Sequence, residues 1–79
     1  MSRELVSEDW LRQHLNFELH KHEECAACEI GGIMRLRGTD ETGCNWSPPR
    51  LRSSGQPSVV CLPIAERVVC EAMMKFNLK

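Results

Sequence analysis

The sequence predicts a small α+β domain in the order α-β-β-α, with two helices packed on a short antiparallel hairpin or a three-stranded sheet. Three observations predict it: helical spacing of apolar residues near the N-terminus, a switch to period two after Ile33, and a return to helical spacing after Pro63. Residues 1–79 read as a single domain. A chain this short buries only roughly 60% of the surface its unfolded form exposes, so it has little core and reason to use a staple.

The first helix is expected from about Glu8 to Glu23. Ser7 suits the N-cap, Glu8 and Asp9 sit where the positive end of the helix dipole favours acids, and Trp10, Leu11, His14, Leu15 and Leu19 recur at helical spacing. Continued at about 100° per residue, the helix carries His22 onto the face of Leu11 and Leu15, whereas His20 points away. His14, between Trp10 and Leu15, reads as an ordinary helix-face histidine.

Beyond Gly31-Gly32, which suit a bend, Met34 and Leu36 alternate with Arg35 and Arg37, the signature of a strand. The run from Gly38 to Gly43 is turn chemistry, and Cys44 and Trp46 then share one face, giving a hairpin closed by Pro48-Pro49. Residues Ser53, Ser54, Gly55, Gln56 and Pro57 read as a loop rather than an interdomain linker. The last helix opens at Pro63 and carries an apolar stripe of Ile64, Ala65, Val68, Val69, Ala72, Met73 and Phe76, ended by Asn77. Cys61 projects back onto this stripe, while Cys70 and Met74 lie off it.

The longest apolar stretch, Val59 to Leu62, stops at Pro63 and is far short of the roughly 20 residues of a membrane span, and Met1 to Leu5 has no apolar signal core. These features predict a cytoplasmic protein with no membrane partner. Five cysteines are an odd number, and a reducing compartment disfavours a closed disulfide framework. Charge is divided: residues 1–29 hold three Lys/Arg against seven Asp/Glu, whereas residues 30–60 hold four Arg against Asp40 and Glu41. The acidic flank argues against a general binder of polyanions.

Cys25 and Cys28 form a C-x2-C knuckle, whose intervening loop lets two sulfurs address one ion, and Cys44 follows 16 residues later at a hairpin end. Zinc wants four such ligands, so the candidate metal set is Cys25, Cys28 and Cys44, completed by Cys61 or His22. The competing reading is buried thiols used as small hydrophobes. Residues 25–47, a knuckle leading into a hairpin, resemble the first half of a zinc ribbon, with Ser47 standing where a second knuckle would place cysteine. In size and layout the chain is also similar to small cysteine-containing accessory proteins of bacteriophages and prophages.

A thiol-redox use of the knuckle is disfavoured because it follows a helix and is surrounded by Glu23, Glu24 and Glu29, which raise a thiol pKa. Nucleic-acid binding rests on Arg35, Arg37, Arg50 and Arg52, with Trp46 as a stacking candidate that alternation turns inward beside Cys44. No nucleophile-base set, phosphate loop or carboxylate pair emerges from the sequence. The expectation is therefore a small non-enzymatic binding or regulatory module acting through a protein partner. Cys70 and Met74 are its candidate contact residues, zinc a structural cofactor, and a homodimer is among the admitted assemblies.

Overall fold

The computed structural model describes residues 3–41, 43–53 and 59–79. The expected loop beyond Ser53 lies outside the described residues, as do Met1 and Ser2 of the N-terminal reading. Strand β1 (Glu4–Val6) leads into helix α1 (Glu8–Leu19), a single 3-10 turn (Glu23–Cys25) and strands β2 (Cys28–Ile30), β3 (Met34–Arg35), β4 (Trp46–Ser47) and β5 (Leu51–Ser53). Helix α2 (Leu62–Lys75) and strand β6 (Phe76–Leu78) complete the order, so the α+β class is observed.

Helix α1 starts where the sequence places it, with the Ser7 side chain accepting from the Trp10 amide at 3.1 Å. Leu11, Leu15 and Leu19 are fully buried along one face. The helix ends at Leu19 rather than continuing to Glu23. Two acids, Glu23 and Glu24, oppose the negative end of a helix dipole, and the 3-10 turn lets Cys25 drop into the core. Because the last expected turn is missing, His22 leaves the leucine face and is exposed.

The predicted hairpin is present, with Met34 opposite Ser47 and Arg35 opposite Trp46 in antiparallel register. Its connection turns on Asp40, whose carboxylate accepts from the Cys44 amide at 3.0 Å, and on Gly43, whose φ of 92° suits a residue without a Cβ. Cys44 and Trp46 are buried as alternation requires, but Met34 faces out and Ile33 takes the core position instead. The sheet reading needs extension. Beside the hairpin, β2 pairs antiparallel with β5, and β1 pairs in parallel with β6, making three two-stranded sheets.

The β1–β6 pair also revises the last helix. Phe76 has φ −130° and ψ 145°, so α2 stops at Lys75 and the Phe76-Asn77-Leu78 alternation becomes a strand with both apolar residues buried. Arg3 Nε donates to the Met73 carbonyl at 2.9 Å, satisfying one of the carbonyls that a helix end leaves open. Two asparagines then close strand edges by imitating a backbone. Asn16 exchanges hydrogen bonds with Ile30 N and O, at 2.7 and 3.1 Å, and Asn45 does the same at Leu78, at 2.8 and 2.9 Å. Covered edges do not recruit stray strands.

The core runs through all of these pieces. Its largest member, Trp46, is fully buried and donates its indole N–H to the Phe76 carbonyl at 3.1 Å. Cys25, Cys44 and Cys61 are fully buried beside the α1 leucines, and Ala65, Val69 and Ala72 supply the inner face of α2. The expected stripe on α2 is thus observed, with Ile64, Val68 and Met73 half-buried along its border.

Candidate partner-binding groove

Cys25, at the end of the 3-10 turn, and Cys61, the residue capping α2, form a disulfide with their Cα atoms 5.0 Å apart. One bridge exists where the sequence disfavoured a disulfide framework. The reason is tertiary: both residues point into one core from positions 36 residues apart. Cys28, Cys44 and Cys70 remain thiols, the first two buried and the third exposed.

This arrangement lends the zinc reading no support. Bonded sulfurs are not thiolates, so Cys25 and Cys61 hold no metal unless the bridge is opened. Cys44 Sγ is 3.3 Å from the Trp46 carbonyl, burial and to a lesser degree Asp40 push its thiol pKa above the ordinary value, and Trp46 hydrogen bonding and Arg3 work against that rise. His22 is exposed on the chain between α1 and the 3-10 turn, and among the described residues no three His, Cys, Asp or Glu side chains form a metal-holding group. His20, set aside by phase, instead donates its Nε2 proton to the Cys28 carbonyl at 2.7 Å and ties the end of α1 to β2.

The four arginines are exposed but divided between two sheets, Arg35 and Arg37 at β3 and Arg50 and Arg52 at β5. The Arg35 guanidinium donates to the Lys79 carbonyl, and Trp46 is sealed in the core and offers no stacking face. His14 stacks on Trp10 at 4.9 Å between ring centres and meets Phe76 edge-on at 5.3 Å, which makes it part of the seam between α1 and the end of α2.

A broad concavity lies beside α2. It is a cleft of about 620 Å³ between that helix and the segment from Pro48 to Leu51. Ala65 and Val69 form its floor, and Leu62, Glu66, Cys70 and Met73 form one lip, falling within roughly a quarter turn at about 100° per residue. Pro48 and Pro49, which fix the backbone as it leaves β4, stand with Arg50 and Leu51 as the opposite wall. Apart from Arg50, Glu66 and Cys70, the lining residues are apolar. Of the predicted contact residues, Cys70 lines the cleft, whereas Met74 stands on the exposed flank of the helix.

Apolar surface continues past the ends of the cleft. Val59, Val60, Leu62 and Met74 expose 68, 58, 44 and 74% of their surface. The sequence signals Cys70 of the helix lip, off the apolar stripe, but the opposite wall is contributed by a segment that reads locally as a hairpin exit. Arg50 therefore belongs to this groove as well as to the arginine set. No helix among the described residues is long and apolar enough to cross a membrane. No protein-family model matches the chain, and comparison with curated proteins and with solved structures gives no significant match.

Proposed function

We propose that this chain is a small non-enzymatic binding module that acts by docking a protein against the groove beside α2. The observation that carries the reading is the coincidence of a long apolar cleft with uncovered apolar side chains at both ends of its helical lip. Contiguous exposed apolar surface is costly in water and marks a place where another surface removes it. The cleft's few polar groups are a cation on one wall and an anion on the other, which gives a partner orientation more than affinity.

Site-specific photo-crosslinking in cells tests the reading. A photoreactive residue at Met74 is expected to give discrete protein adducts, while the same residue at Arg12 on α1, or at Arg37 beyond β3, gives none. Adducts confined to position 37, or adducts that contain nucleic acid, would overturn it in favour of the arginine surface.

A further inference from the structure

The geometry points to a second copy of this chain as the occupant of the groove, with α2 of each copy laid antiparallel along the other's cleft. The inference rests on the docking reading above and names its partner. Its first support is the pattern of the outer ridge of α2. Leu62, Glu66, Cys70 and Met74 follow one another every four residues and so form one continuous ridge along the outer side of α2.

The ridge is also symmetric about the level of Val68. Leu62 and Met74 lie equally far from that point, as do Glu66 and Cys70. A two-fold axis there sets Leu62 against Met74 of the second copy, and Met74 against Leu62 of the second copy, so each strongly exposed apolar end is covered by the other. Such self-matching of one patch is what a closed two-fold interface demands.

Charge supplies the second support. A ridge entering the cleft brings one carboxylate, Glu66, into an otherwise apolar trough whose opposite wall holds one guanidinium, Arg50. Neither group forms an ion pair with another described residue of its own chain. Under the two-fold axis Glu66 of each copy meets Arg50 of the other, giving two equivalent ion pairs in partly desolvated surroundings. A small apolar ligand lodged in the cleft would leave Val59, Val60 and Met74 uncovered.

Sedimentation equilibrium over a concentration series tests the pairing, in a Cys70→Ser background that prevents adventitious disulfides between copies. The parent protein is expected to dimerise with roughly micromolar affinity. Arg50→Glu and Glu66→Arg each place like charges face to face and should weaken the dimer about tenfold or more, whereas the double swap should restore it to within a few-fold of the parent. Both residues are exposed, so circular dichroism should report an unchanged fold. A parent that stays monomeric throughout the series, or a dimer indifferent to the swaps, overturns the inference. A monomer that still crosslinks a different protein from position 74 overturns self-pairing alone; loss of that crosslink as well removes the docking reading with it.

Discussion

Opening the Cys25–Cys61 bridge is expected to remove a large share of the stability of this chain. The bridge closes a loop of 36 residues, and constraint of the unfolded chain by a loop of that length contributes about 4 kcal/mol at 25 °C. A domain of 79 residues has a total stability of about 4 to 12 kcal/mol, so the bridged and reduced forms should differ by a third of the whole or more. Urea unfolding followed by circular dichroism, with and without a strong thiol reductant, measures the difference. With an m-value of roughly 1 to 2 kcal/mol/M, the midpoint should fall by about 2 to 4 M on reduction. Thiol counting in denaturant provides the independent check, and three reactive thiols per chain are expected before reduction. A midpoint unmoved by reductant, or five reactive thiols accompanied by stoichiometric zinc, would refute the reasoning. The second result would favour the zinc reading on Cys25, Cys28 and Cys44, completed by Cys61 or His22.

Ala72→Asp places a charge on the buried face of α2 and should unfold the chain, whereas Met74→Asp, on the exposed flank, should leave the thermal transition nearly unchanged; equal effects would mean that the faces of α2 are misassigned. Trp46→Phe deprives the buried Phe76 carbonyl of its donor and should cost at least ~1–3 kcal/mol in urea unfolding, and a smaller loss would mean that the carbonyl finds another partner. The folded Cys44 thiol keeps its proton to higher pH than the unfolded one, mainly because it is buried. Stability should therefore be constant below the ordinary thiol pKa and fall as pH rises above it, and Cys44→Ala should flatten that fall; an unchanged alkaline slope in the variant would exclude this thiol as its origin. Replacing Arg35, Arg37, Arg50 and Arg52 together by alanine should scarcely alter binding to duplex DNA, which should be weak at physiological salt. Tight binding with a steep salt dependence that the variant abolishes would rank the arginine surface above the groove.

Several parts of this structure were legible in the chain itself because they depend on neighbours a few residues apart. Ser7 followed by acids and by Leu11, Leu15 and Leu19 specifies a helix start and its buried face. Asp40, Gly43, Cys44 and Trp46 specify a turn and the inward side of a hairpin, and Pro63 with the Ala65, Val69 and Ala72 stripe specifies the last helix. The exposed positions of Cys70 and Met74 follow from the same helical phase.

The tertiary structure decided whatever depends on residues far apart in the chain. Phe76 could extend a helix or begin a strand, and the choice went to the strand because β1, near the other end of the chain, offers parallel hydrogen bonds that no local pattern announces. Asn16 and Asn45 look like ordinary polar residues until each meets the open edge of a strand. Cysteine spacing grouped Cys25, Cys28 and Cys44 and left Cys61 or His22 to complete the set; that Cys61 meets Cys25 as a bridge, with Cys28 a thiol, is a matter of the fold. The groove, too, needed the fold, because α2 provides one side and the Pro48 to Leu51 segment the other. Periodicity is a short-range property that assigns faces; pairing, bridging and concavity are meetings of faces, and only the packing of the whole chain determines which of them touch.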